Sequence, residues 1–410
     1  MPAYGRCMNL PLIFIIITVT LDAIGIGIMF PVMPALIKSI TGNGLSDAAV
    51  WGGWLSAAFA IMQFLCGPAL GSLSDRYGRR PILLISLGVM SLNYLAMALA
   101  PTMILLLISR VIAGMAAATQ STATAYIADI TPAKDRAKRF GLIGAGFGIG
   151  FVLGPLIGGL LATIDLHAPF YAAAALAFAN LIFGAVVLPE TVTDATRRPF
   201  ALSNANPFTA LLRATRLPTI RRTLATFLIL SIAMGVYPAI WAFYGQERFA
   251  WSSAMVGVSL AVYGVSFATG QALLVGPLIR RFGEHSAATF GMCVNICTLT
   301  ALGLVTAGPL AFLIIPLTAL GGVTTPALQS IASGKTPADA QGGLQGVMSS
   351  LTAIATITAP LVMTKTFAIF TAPGASPYSP GAPFLLAACL MLICVMLHVA
   401  GTRATTPNPA

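Results

Sequence analysis

Residues 71–80 read GSLSDRYGRR and residues 276–285 read GPLIRRFGEH. Gly71, Arg76, Tyr77 and Gly78 of the first stretch recur as Gly276, Arg281, Phe282 and Gly283 in the second, 205 residues later in a chain of 410. The same spacing pairs Thr131-Pro132 with Thr336-Pro337, Gly141 with Gly346 and Pro155 with Pro360. Four separate features at one spacing mark a duplication, and its spacing is half the chain. Each copy sits between two apolar segments, and what those segments are decides the fold.

A helix that crosses a bilayer needs about 20 predominantly apolar residues. Twelve segments qualify: 9–37, 51–72, 81–100, 103–126, 140–162, 169–188, 224–245, 254–278, 287–306, 309–331, 343–369 and 383–400. Composition agrees. Hydrophobic residues make up 57% and charged residues 8%, against about 25% charged in soluble domains, and mean hydropathy is +0.90. Such a chain has too few charges to coat a soluble fold, which sets aside soluble enzymes, disordered proteins and nucleic-acid binders. The first segment follows Arg6 like a signal peptide, but it lacks a small-residue cleavage site and eleven more segments follow, so it reads as a retained helix. Pro31, Pro34, Pro155 and Pro360 are expected to kink or end their helices.

The net charge of +11 has a topological meaning. Of the 22 Lys and Arg, eighteen fall at the termini, in the even-to-odd loops and in the stretch 189–222. Two, Lys38 and Arg248, fall on the other side, and Arg110 and Lys365 lie in or near segments. Basic residues mark the cytoplasmic face, so both termini are expected there. Trp51, Trp54, Trp241 and Trp251 fall at the opposite ends, where headgroup-level aromatic rings belong. The six cysteines read as small hydrophobes rather than as a metal or redox site. The resulting expectation is an all-α membrane protein of twelve transmembrane helices in two pseudosymmetric six-helix bundles, 1–188 and 223–410, joined by a cytoplasmic linker at 189–222.

These residues carry a resemblance. G71-S-L-S-D-R-Y-G-R-R80 resembles the signature loop of the major facilitator superfamily. G150-F-V-L-G-P-L-I-G-G159 resembles the fifth-helix motif of its drug:proton antiporters, and Arg110-V-I-A-Gly114 resembles their fourth-helix arginine motif. L21-D-A-I-G-I-G27 with P31-V-M-P34, E247-R-F-A-W251 and P326-A-L-Q329 are similar to bacterial tetracycline efflux pumps. The resemblance runs from about residue 10 to 400 and implies proton-coupled export of tetracycline or a related amphipathic drug through the bacterial inner membrane. The alternatives it leaves are export of another drug or metabolite, and an uptake carrier on the same fold. It implies a small-molecule substrate, protons and lipid as partners, a monomer, no nucleic acid, and no cofactor or metal beyond the proton gradient.

Individual residues acquire roles accordingly. Of eleven acids only Asp22 lies well inside a segment. A carboxylate there costs roughly 2.5–3.5 kcal/mol to insert, so it must face a cavity, be protonated or find a partner. A carboxyl group in that setting can load and release a proton, as a proton-driven carrier requires; the plainer alternative is an interhelical hydrogen bond. Arg110 is expected to tune Asp22 or to organise polar cavity groups; the plainer alternative is an arginine snorkelling from a helix end. Gln63, Asn93, Gln120, Gln271, Asn295 and Gln329 supply donors and acceptors for a cavity wall, or bridge helices. Phe267 belongs to a candidate aromatic wall with Tyr237, Tyr244 and Tyr263.

In the loop, Gly71 and Gly78 permit close approach or unusual backbone angles. Asp75, Arg76, Arg79 and Arg80 are expected, with Asp129, to form a latch that opens during transport; simple topology setting by positive charge is the alternative. Gly150, Gly154 and Gly158 lie four apart on one helix face, a small-residue stripe that admits a neighbouring backbone. With Gly159 and Pro155 they are expected to pack and bend the fifth helix. The well-studied tetracycline pumps carry a helix-3 acid, a helix-8 histidine and a helix-9 acid. This chain has Asn93, Phe267 and Asn295 there, so proton coupling through Asp22 is implied to persist while substrate and relay chemistry differ.

Overall fold

The structure, a computed structural model, describes residues 9–117, 119–194, 197 and 220–403; the expected linker at 189–222 lies mostly outside them. Among the described residues the α-helices number sixteen and no strand occurs. The first eight are α1 Asn9–Met29, α2 Met33–Thr41, α3 Leu45–Tyr77, α4 Arg79–Ala98, α5 Met103–Ala116, α6 Thr119–Asp129, α7 Arg136–Leu161 and α8 Ala168–Val187. The second eight are α9 Arg221–Met234, α10 Val236–Phe249, α11 Ser253–Leu273, α12 Val275–Leu304, α13 Gly308–Gly321, α14 Thr324–Gly334, α15 Gln341–Thr371 and α16 Ala382–Arg403. Twelve stretches of this list are long and apolar enough to cross a membrane.

Five of the expected continuous segments are broken, and proline chemistry accounts for four of the breaks. Pro31 lies between α1 and α2, and Pro34 in the first turn of α2. Pro238, Pro277 and Pro326 stand in the first turns of α10, α12 and α14. A proline ring collides with the carbonyl four residues earlier in a continuous helix, and those positions are Met234, Leu273 and Gly322, where α9, α11 and α13 give way. The α5–α6 break at Ala117 has no proline nearby; it falls at the start of a Thr- and Ser-containing run of low helix propensity. Pro155 and Pro360 sit inside continuous helices.

The helices pack into two compact units, one of residues 9–42, 58–194 and 252–261, the other of 43–57, 220–251 and 262–403. In the first, α1 is central. Phe14, Ile15 and Val19 bury against Leu83 and Leu87 of α4, Ala123, Tyr126 and Ile127 of α6, and Ile143 of α7. Water exclusion does not drive helices together in lipid, so backbone proximity and polar contacts matter more. Both are present. A side chain at Gly146, Gly150, Gly154 or Gly158 would collide with Thr20, Ile24, Gly27 or Ile28, so the stripe on α7 seats directly on the α1 backbone. Thr18 and Asn180 exchange hydrogen bonds between α1 and α8 (3.1 and 3.3 Å), and Ser91 donates from α4 to the Ala174 carbonyl (3.0 Å).

The second unit is packed differently. Trp241 is buried among Tyr237, Tyr244, Trp251 and Phe384. Its neighbours supply enough ring surface to enclose it. Cys293, Cys297 and Cys389 are exposed on helix surfaces, and of the described cysteines Cys394 is buried.

Candidate functional site

Two clusters in the first unit gather most of the chemistry. One forms at the α3–α4 turn. Gly78 adopts φ 113°, ψ 154°, a region open to glycine and costly for other residues. The space a Cβ would take is filled by the Glu190 carboxylate. Glu190 thereby caps α4: its Oε1 accepts from the Arg79 amide (2.9 Å) and its Oε2 from the Arg80 amide (3.2 Å). Its Oε1 also accepts from the amides of Thr191 and Val192 (2.8 and 2.9 Å). A carboxylate on the free amides of a helix N-terminus is a favourable pairing.

Arg79 bridges three elements. Its Nη1 meets Asp75 Oδ1 at 2.6 Å and Ser74 Oγ at 3.2 Å, and its Nε meets Asp129 Oδ2 at 3.2 Å. Thr191 Oγ1 donates to the same Asp129 oxygen (3.1 Å), Arg80 Nη2 donates to the Ala185 carbonyl (2.7 Å), and Tyr126 donates to that of Pro189 (3.0 Å). The ends of α3, α4, α6 and α8 are thus tied through one guanidinium and one carboxylate. Arg76 is exposed and lies over the Tyr77 ring at 5.2 Å. Gly71 takes no part in close packing, since a methyl there would meet nothing within 4 Å.

The second cluster is inside the unit. Arg110 of α5 is buried and its guanidinium lies 5.6 Å from the Phe59 ring centre, a cation–π distance. The Asn93 carboxamide, oriented to satisfy both ends, donates to the Ser109 carbonyl at 2.8 Å and accepts from Arg110 Nη2 at 3.1 Å. The same nitrogen lies 2.9 Å from Met97 Sδ. Asp22 is half-buried on α1 and makes no ion pair or hydrogen bond among the described residues. The buried Tyr94 hydroxyl lodges against Gly25, one turn after Asp22 on α1.

The remaining polar residues divide by partner. Gln271 donates to the Gly322 carbonyl (3.0 Å) and Asn295 to that of Gly321 (3.3 Å), so two carboxamides from α11 and α12 hold the carbonyls freed at the α13–α14 break. This is the helix-bridging role. Gln63, Gln120 and Gln329 are exposed. Phe267, also exposed, stacks on Tyr263 at 6.0 Å, and Tyr263 stacks on Tyr237 at 5.4 Å. Gly159 packs on Ser253 and Ala254, and the Pro155 carbonyl on Gly257, both at the start of α11.

The profile of the Major Facilitator Superfamily matches residues 15–360. The chain belongs to the Major Facilitator Superfamily. Within it, the chain is 42% identical over 400 residues to the tetracycline resistance protein, class C, of Escherichia coli, covering 97% of this chain and 99% of that one. It is 37% identical over 385 residues to the class G tetracycline resistance protein of Vibrio anguillarum, covering 93% and 95%. A crystal structure of a bacterial homologue of the human lysosomal transporter Spinster, inward-facing and unoccupied, superposes with a TM-score of 0.79 over the whole of both chains at 17% identity, which speaks to the fold alone. For this member of the superfamily, Glu190 and Tyr94 are the site residues that sequence reasoning missed. An acid just past a helix end, beside a basic loop, was the available signal for Glu190. A tyrosine in an apolar run offers none.

Proposed function

We propose that this protein exports tetracycline, or a related amphipathic drug, across the bacterial inner membrane in exchange for protons. It works as a monomeric carrier that alternates access, with both termini cytoplasmic and no cofactor beyond the proton gradient. The likeness to class C and class G tetracycline resistance proteins over nearly the whole chain supports the substrate. The observation that carries the coupling is Asp22, an acid inside a membrane-crossing helix with no cation paired to it. A permanently paired carboxylate would stay ionised, whereas an unpaired one in an apolar setting is free to gain and lose a proton during the cycle. Arg110 is turned to Asn93, Met97 and Phe59 and stands ready as the fixed charge of the same cluster. The α3–α4 network around Arg79 and Glu190 serves as the latch on the cytoplasmic side, closed in this arrangement.

The test is uptake of labelled tetracycline into inverted membrane vesicles under an imposed pH gradient. Wild-type vesicles are expected to accumulate the drug and to lose it on addition of an uncoupler. Asp22→Asn, which keeps the shape and removes the titrating proton, is expected to abolish gradient-driven uptake at normal membrane abundance. Accumulation that ignores the uncoupler, or an Asp22→Asn variant that pumps like wild type, would sink the proposal.

A further inference from the structure

We propose that Tyr94 is the positioning residue for Asp22, its hydroxyl serving as the hydrogen-bond partner of that carboxyl group in both protonation states; this rests on the proton-coupled reading above. The Tyr94 side chain is buried, 2% exposed, and its hydroxyl oxygen has no hydrogen-bond partner in this arrangement. A buried polar atom left without a partner is unusual in a folded protein and points to a bond made in another state or to another group. The hydroxyl lies against α1 where any side chain at position 25 would stand. Gly25 is three residues after Asp22, so the two share a helix face. Glycine at 25 is what lets the oxygen reach that face.

The surroundings leave few other partners. On the α1 face that the hydroxyl touches, Asp22 is the titratable side chain one turn away, and Arg110 of α5 is turned to Asn93 and Met97 on Tyr94's own helix. The other elements packed around Tyr94 present Phe59 from α3, Ile157 from α7, and Ala173, Ala174 and Ala177 from α8, none of which titrates. Arg110 directs Nη2 to Asn93 and Met97 and makes no ion pair with Asp22. The chemistry favours a hydroxyl in this place. A guanidinium only donates and would hold the carboxylate ionised throughout the cycle, while a phenol both donates and accepts. When Asp22 is ionised, the Tyr94 O–H donates to it. When Asp22 has taken a proton, its own O–H donates to the Tyr94 oxygen. The phenol keeps its proton throughout, and the only proton gained or lost is the one on Asp22.

Tyr94→Phe removes the oxygen and little else. In inverted vesicles, tetracycline uptake driven by the gradient is measured across a pH series, beside tetracycline counterflow with no gradient. The ionised form of Asp22 loses a donor in the variant, so the midpoint of the pH profile is expected to move up by about one unit, a tenfold change in the protonation equilibrium. Counterflow, which needs no net proton movement, is expected to stay within about twofold of wild type by the usual tolerance for a change that leaves packing intact. An unchanged pH profile overturns the proposal. So does an equal loss of counterflow and gradient-driven uptake, or a variant that fails to accumulate, since each marks a merely structural role. If Asp22→Asn abolishes driven uptake and Tyr94→Phe keeps the wild-type profile, the tyrosine assignment fails and the proton-coupled function stands. If driven uptake survives Asp22→Asn, the coupling reading itself fails.

Discussion

At Gly78 and again at Gly283 the backbone takes a glycine-only turn, φ 113° and ψ 154° in the first, φ 76° and ψ 163° in the second. Arg76 lies over Tyr77 and Arg281 over Phe282 at similar distances, 5.2 and 5.6 Å. What fastens the two turns is different. In the first, Glu190 fills the glycine gap and Arg79 spans Asp75 and Asp129. In the second, the space at Gly283 is open, and the residues matching Arg79 and Arg80 are Glu284 and His285. Glu284 accepts a single hydrogen bond from Ser330 of α14, and the His398 ring of α16 reaches the His285 carbonyl at 3.3 Å. Duplication kept the backbone solution, which depends on glycine. The charged network belongs to one copy. Two ion pairs that can be made or broken together suit the proposed latch better than a turn held by single hydrogen bonds.

The largest effect that sharpens this contrast is expected from Arg79→Ala. It leaves Asp75 and Asp129 facing each other's field without the cation that joined them. These carboxylates are about a third exposed, so the cost falls between that of a surface pair and a buried one, about 2 kcal/mol. Transport is expected to drop at least about tenfold while the protein stays in the membrane, since 1.4 kcal/mol already shifts a two-state latch tenfold. Arg79→Lys keeps the charge but offers one ammonium in place of a fork and should recover only part of the loss. Glu284→Ala, at the matching position, should change transport no more than about twofold. Tetracycline accumulation in cells, normalised to membrane-inserted protein, checks the series. Equal losses at positions 79 and 284 would break the comparison.

Gly78→Ala and Gly283→Ala form the next pair. Both force alanine into a conformation that costs of order 1–3 kcal/mol. Only the first also displaces a carboxylate from its place on the α4 amides, adding about 1 kcal/mol for the lost cap. Thermal unfolding in detergent should therefore fall further for Gly78→Ala. In a Glu190→Ala background the two alanine variants should cost the same, because the extra term at Gly78 is an interaction with Glu190. A difference that persists in that background would place its origin elsewhere.

How much of this was legible in the chain follows from what each feature depends on. Apolar length and the repeated glycines and prolines are local, so twelve crossings and a duplication could be read directly. The α7 stripe could be read too, because spacing of four places glycines on one face. The breaks ahead of Pro238 and Pro326 were readable in principle through the carbonyl four residues back, and were obscured by the length of the apolar runs around them. Partnerships across distant sequence were not readable. Glu190 and Arg79 are 111 residues apart, and nothing at either position names the other. Asn295 and Gln271 displayed their donors, but the acceptors they meet are backbone carbonyls that exist only because α13 stops. The partners of Arg110, Asn93 and Met97, lie on another helix, and Tyr94, whose hydroxyl reaches the Asp22 face of α1, stands in a run that looked like ordinary packing.

The smallest effect tests the side of the comparison that has no ion pair. Ser330 Oγ donates to Glu284, a hydrogen bond from α14 to the second turn. Thr191 Oγ1 donates to Asp129, an oxygen that also receives Arg79 Nε. Ser330→Ala removes a single hydrogen bond to a half-buried carboxylate that water can reach, so the loss is expected near the low end for bonds to charged groups, about 1 kcal/mol. Thr191→Val removes one of two donors to an acceptor that keeps its cation, and should cost less, about 0.5 kcal/mol. For a chain of this length such losses amount to roughly one or two degrees in the unfolding midpoint, and transport should be unaffected by either. A Ser330→Ala variant that loses transport as Arg79→Ala does would show that the second turn is a latch in its own right, fastened by one hydrogen bond, and the asymmetry drawn between the two copies would be lost.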